Sequence, residues 1–118
     1  MTTDNLDLNL TLIKRKIRWG HEPDNPMLIK LWLSLEEQQI VKQIETKLKR
    51  NQYEAQFHLL LKTIEDELIS KVWRHVCLDN IYQPLRSLHK LTDNAVSINR
   101  LRTLSSSLTF IGHLDLSL

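Results

Sequence analysis

The sequence predicts a mainly α-helical fold, a bundle of four or five helices. The chain has 118 residues with only two glycines and three prolines, too few for the repeated turns of an all-β fold. Hydrophobic residues make up 42% of the chain, and in its middle they recur every three or four positions, which is the helical spacing. This length and hydrophobic content suit one core, so we expect a single helical domain over residues 1–118.

Both ends of the chain add a second pattern, leucine at every other position. Leu6–Leu12 reads LDLNLTL and Leu114–Leu118 reads LDLSL. Period two is the spacing of one face of a strand, so these segments predict short terminal β-strands that pair within the chain or across a dimer. The first segment also fits a helix, because Leu6, Leu10, Ile13 and Ile17 lie at helical spacing. We favour a strand that runs into a helix, and strand or helix end remains open.

The next elements follow from turn and cap residues. Residues 20–26 contain one glycine and two prolines and predict a loop. Ser34 followed by Glu37 matches a capping box and predicts a helix start. From there the pattern allows one helix of about 40 residues, Leu35–Cys77, or two helices that break near Asn51.

The second half of the chain predicts the core helix and two further helices. The core stripe consists of Phe57, Leu61, Ile64, Leu68, Val72 and Val76. Residues 78–83 are expected to connect it to a helix with Pro84 at its first position, where no N–H donor is needed. Thr92 or Asp93 would cap the last helix, and Gly112 would end it.

The sequence lacks the groupings that enzymes and metal sites need. Its five histidines, His21, His58, His75, His89 and His113, are scattered along the chain. Outside His75, Cys77 and Asp79, no cluster has the spacing of metal ligands, and Cys77 cannot share a helix face with the other two. Glycine is too scarce for phosphate-binding loops. We therefore predict a protein that is not an enzyme and uses no cofactor or metal.

The composition also predicts where the protein acts. No apolar run approaches the roughly 18 residues that span a membrane, and Asp4 and Asp7 stand where a secretory signal would be basic. The single cysteine suits a reducing compartment. We expect a cytoplasmic protein with no membrane partner.

The leucine-rich ends predict the binding surface. A small leucine-rich domain often has more apolar area than one chain can bury, and the excess marks an interface. We predict an adaptor that binds a protein partner, as a homodimer or as a subunit of a complex. The predicted contact residues are Leu6, Leu8, Leu10, Leu12, Leu114, Leu116 and Leu118.

A basic segment supports an alternative, nucleic-acid binding. Four cations, Lys14, Arg15, Lys16 and Arg18, precede Trp19, whose ring could stack on a base. The net charge of the chain is only +2, so this hypothesis depends on the local cluster.

The terminal repeats support a third interpretation. LDLNL from Leu6 and LDLSL from Leu114 resemble the LxLxL repression motif of plant transcription factors. That resemblance implies transcriptional repression through corepressors of the Topless type, which bind such motifs as extended peptides. Leu31–Leu35 has the same pattern, so a leucine-rich chain produces it by chance as well.

Overall fold

The computed structural model describes the backbone of residues 3–115 and the side chains of Leu6 and residues 8–110. Within residues 3–115 every regular element is a helix and no strand is present, so the predicted helical bundle is confirmed. The helices are α1 (Thr3–Trp19), α2 (Met27–Ile40), α3 (Thr46–Glu65), α4 (Lys71–Asn80), α5 (Tyr82–Lys90) and α6 (Ala95–Asp115).

α4 and α5 follow each other almost without interruption. Only Ile81 separates them; it keeps helical dihedral angles (φ −66°, ψ −21°), and its N–H donates to the Cys77 carbonyl at 3.0 Å. The connection predicted over residues 78–83 is therefore wrong. Pro84 is the third residue of α5 and not the first, and because it has no N–H it donates no backbone hydrogen bond to the preceding turn.

The strand predicted for Leu6–Leu12 is also wrong, because the whole segment lies within α1. Leu10 and Ile17 are 4% and 0% exposed and belong to the core, whereas Leu8 is 59% exposed. Alternating leucines fit either period, and the isoleucines at 13 and 17 extend only the helical one. The strand predicted for Leu114–Leu118 is contradicted at Leu114 and Asp115, which are helical, and its last three residues lie outside the described part.

The middle of the chain breaks twice, at residues 41–45 and 66–70, and not at Asn51. The predicted start at Ser34 lies inside α2, which begins directly after Pro26. Leu28 and Ile29 in the first turn of α2 are buried in the core, so the helix begins before the S-x-x-E pattern at Ser34.

Side-chain caps fix two later helix starts. The Ser70 hydroxyl accepts from the Trp73 N–H at 3.3 Å at the start of α4. Before α6, the Ser97 N–H donates to Asn94 Oδ1 at 2.8 Å and the Asn94 N–H donates to Ser97 Oγ at 3.2 Å, a reciprocal capping box. The cap, Asn94, is thus one residue after the predicted Asp93 and two after the predicted Thr92, and α6 continues past Gly112 to Asp115.

α3 is the central helix and packs against each of the other five. Its side chains Phe57, Leu60 and Ile64 are fully buried, and Trp73 of α4 is buried beside them in the same core cluster. The indole N–H of Trp73 donates to the Ile17 carbonyl at 2.8 Å, across 56 positions of sequence. This bond joins the end of α1 to α4 and fixes which face of α1 points outward.

Candidate interaction surface on α1

α1 has a continuous outward face at helical spacing. Leu8, Leu12, Arg15 and Trp19 lie at i, i+4, i+7 and i+11, and we call these four residues the outer α1 face. Leu8 is 59%, Leu12 44% and Trp19 52% exposed. Three large apolar side chains therefore share one exposed helix face, opposite the core residues Leu10 and Ile17.

The seven leucines predicted to bind a partner do not form one surface. On α1, Leu6 is half-buried and Leu10 is buried in the bundle, while Leu8 and Leu12 are exposed. At the other end, Leu114 is part of the α6 backbone, and Leu116 and Leu118 lie outside the described residues. The outer α1 face contains the two exposed leucines together with Trp19, which the sequence had assigned to a different function.

The basic segment carries its own acidic partners. Lys14 Nζ lies 3.6 Å from Glu36, Lys16 Nζ lies 3.0 Å from Glu22, and an Arg18 guanidinium nitrogen lies 3.0 Å from Asp66. Arg15 is exposed and makes no ion pair with any residue in the described part of the chain. The positive charge predicted for nucleic acid is therefore largely balanced within the bundle.

Trp19 is held against Arg18. The Arg18 guanidinium carbon lies 4.3 Å from the centroid of the Trp19 ring, a cation–π arrangement. Because Arg18 is also bound to Asp66, one face of the exposed indole is covered and the ring is positioned at the end of α1. The geometry thus presents Trp19 as an ordered apolar contact.

Asp66 should make stability depend on pH through this contact. The Arg18 hydrogen bond, followed by the Leu68 N–H, lowers the pKa of Asp66 below its usual value. A lowered carboxyl pKa stabilises the fold above the unfolded-state pKa, and this contribution is lost as pH falls through the folded-state pKa. We expect Asp66→Asn to lower the urea midpoint at neutral pH, with the difference from the native chain closing in acid.

The control for this prediction is Asp24→Asn, because Asp24 is an exposed loop residue. Urea unfolding of all three proteins over a pH series measures the effect. A gap between Asp66→Asn and the native chain that stays constant from neutral pH to strong acid would contradict the assignment.

A groove between α3, α5 and α6 gathers three further cations, Lys47, Arg50 and Arg100, around a volume of about 290 Å³. Arg50 donates to the Leu91 carbonyl at 3.2 Å and to Asp93 at 3.4 Å. Arg100 pairs with Glu54 at 2.8 Å. These bonds hold α6 and the segment before it to α3, so the two arginines have a structural role that the sequence did not reveal.

Three further features bear on the chemistry of the described residues: the cysteine thiol, possible metal ligands and possible membrane-spanning helices. Burial raises the pKa of Cys77 to about 12, so its thiol stays protonated at neutral pH and is a poor nucleophile. Among the described residues, no group of three histidine, cysteine or acidic side chains is placed to hold a metal ion. No described helix combines the length and apolarity needed to cross a membrane.

Comparison with protein families, curated proteins and solved structures finds no match to this chain.

Proposed function

We propose that this protein is a non-enzymatic interaction module that self-associates, two copies packing through the outer α1 face. One observation supports this most: Leu8, Leu12 and Trp19 are all exposed on the same face of α1. Removing apolar surface from water contributes about 25 cal/mol per Å² of favourable free energy, so a partner that buries this face is bound favourably. The proposal includes a cytoplasmic location, which the single cysteine supports.

The spacing of the outer α1 face suits another helix. Apolar residues at i, i+4 and i+11 form a narrow stripe along the axis, which is the kind of seam that helices use to pair. A surface that binds its own copy needs only one patch, related to itself by a two-fold axis. A second copy of the chain can therefore cover this face without any further component.

Charge along α1 specifies the direction of pairing. Arg15 is the cation of the outer α1 face, and it makes no ion pair with any described residue. A parallel two-fold pair sets the Arg15 side chains of the two copies at the same level, whereas an antiparallel pair offsets them and can place each beside Leu12 of the other copy. We therefore propose an antiparallel pair, in which Leu12 of one copy lies beside Arg15 of its partner.

Leu12→Lys tests this interface. The change removes an apolar contact twice per dimer and sets a second cation beside the partner's Arg15. We expect the dimer dissociation constant to rise about 100-fold or more, which is about 2.7 kcal/mol. Light scattering on a size-exclusion column, over a range of loading concentrations, measures the mass.

Ile44→Lys is the matched control, because Ile44 is 96% exposed but lies in the connection between α2 and α3. This variant should dimerise like the native chain, and circular dichroism should show equal helix content in all three proteins. Dimerisation of Leu12→Lys at native affinity would overturn the proposed interface.

Nucleic-acid binding is the second candidate, and the exposed Trp19 ring favours it. Titration of a single-stranded RNA while recording tryptophan fluorescence would test it, with neutral replacements of Lys14, Arg15, Lys16 and Arg18 as the comparison. This function requires salt-dependent binding that the replacements abolish. The repression interpretation is weaker, since its first motif is helical and not extended.

A further inference from the structure

The groove between α3, α5 and α6 combines its three cations with an apolar wall. That wall consists of Leu88 from α5 and Val96, Leu101 and Leu104 from α6. Leu88 and Leu104 are 5% and 4% exposed, so they form the floor of the groove. None of the described residues that line the groove is aromatic. The wall therefore suits an aliphatic occupant and offers no ring on which an aromatic one could stack.

Arg50 has two donor nitrogens to spare. Its Nη1 donates to the Leu91 carbonyl and to Asp93, whereas its Nε and Nη2 make no hydrogen bond within the described part of the chain. Both of these nitrogens are accessible to solvent, and the Arg50 side chain is 25% exposed. Nε and Nη2 lie on one edge of the guanidinium and form a fork that can bind both oxygens of a carboxylate.

The charges around the groove leave one positive charge uncompensated. Arg100 pairs with Glu54 at 2.8 Å, and Arg50 pairs with Asp93 at 3.4 Å. Lys47 is exposed and makes no ion pair with any described residue. An occupant with one negative charge would balance Lys47. A doubly charged phosphate would instead meet the two carboxylates without a second unpaired cation, and like charges at close range repel.

The groove has a charged end and an apolar end. The two ion pairs join α3 to α6 and the segment before it in the same order along both, so the two helices run in the same direction here. Lys47 is one turn before the first pair, and Leu104 is one turn after the second. The α3 wall from Lys47 to Glu54 is about 10 Å long at 1.5 Å per residue.

We propose that this groove binds an aliphatic monocarboxylate of about eight carbons, its carboxylate on the Arg50 fork beside Lys47 and its chain toward Leu88 and Leu104. The volume of about 290 Å³ holds roughly ten water-sized groups at about 30 Å³ each, which is about the number of non-hydrogen atoms in octanoate. The extended chain of octanoate is about 10 Å long at roughly 1.2 Å per bond, which matches the length of the α3 wall.

The test is calorimetric titration of the native chain with octanoate, compared with octanamide, which lacks the charge, and with acetate, which lacks the chain. We expect octanoate to bind about 10-fold or more tightly than either comparison. Absence of octanoate binding would mean that the groove holds water only. Equal binding of octanamide would show that the charge is not recognised, and equal binding of acetate would show that the apolar wall is not used. Each of these three outcomes overturns the proposal.

Two variants assign the contacts. Lys47→Glu reverses the uncompensated charge, and Arg50→Lys keeps the charge but removes the fork; each should weaken octanoate binding about 10-fold or more. Lys62→Glu is the matched control and should bind normally, because Lys62 is exposed on the same helix but about 22 Å from Lys47 along its axis. Native affinity in Lys47→Glu would overturn the proposal even if Arg50→Lys failed to fold. Leu12→Lys should retain octanoate binding, so this inference stands apart from the proposed dimer.

Discussion

Trp73→Phe is expected to lower the free energy of unfolding by about 2–3 kcal/mol. Trp73 is fully buried, and its indole N–H donates to the Ile17 carbonyl at 2.8 Å. Phenylalanine removes that bond, and the smaller ring leaves a cavity between α1 and α4. The loss is a large share of the roughly 5–15 kcal/mol that stabilises a domain. Urea unfolding followed by circular dichroism measures it.

Trp32→Phe is the matched comparison, because it makes the same change in volume at a tryptophan that is 1% exposed. Its indole N–H has no partner in the described residues, so removing it relieves a burial penalty of about 1–3 kcal/mol. We therefore expect Trp32→Phe to cost about 1–2 kcal/mol less than Trp73→Phe. Equal costs at the two positions would show that the two indole N–H groups are in equivalent environments.

Gly20→Val is the second substitution expected to have a large effect, about 2–3 kcal/mol of destabilisation. Gly20 has φ +60°, a left-handed conformation that β-branched residues rarely adopt. A Cβ atom there would lie 3.1 Å from Trp73 Cδ1 and 3.2 Å from Ile69 Cγ2, so any side chain also presses on the core.

Gly20→Asn separates these two causes, because asparagine accepts the left-handed conformation more readily than valine but still introduces a Cβ atom. We expect Gly20→Asn to be less stable than the native chain and more stable than Gly20→Val. Thermal unfolding of the three proteins under one buffer condition provides the comparison. A Gly20→Val variant as stable as the native chain would contradict the described turn.

The loop at residues 20–26 could be predicted from sequence because its prolines and glycine have fixed conformational consequences. The break at 66–70 could not, because the apolar spacing continues through it. Leu68 and Val72 fit the predicted core stripe, yet they are 95% and 67% exposed. A local turn, in which the Leu68 N–H donates to Asp66 Oδ1 at 3.0 Å, ends the helix despite that spacing.

The two candidate sites also differ in how far the sequence predicts them. Once α1 is known to be helical, spacing alone places Leu8, Leu12 and Trp19 on one face, opposite the face of Leu10 and Ile17. The alternating leucines hid this, because they fit a strand equally well. The groove between α3, α5 and α6 has no such local signal, because its lining residues, Lys47, Leu88 and Arg100 among them, come from three helices that are separate in the sequence.

Sedimentation equilibrium of the native chain tests self-association most directly, because it measures mass without any substitution. The chain mass is 14.0 kDa. We predict a mass that rises toward twice this value with increasing concentration. A mass that remains that of a monomer at every concentration would contradict the proposed dimer.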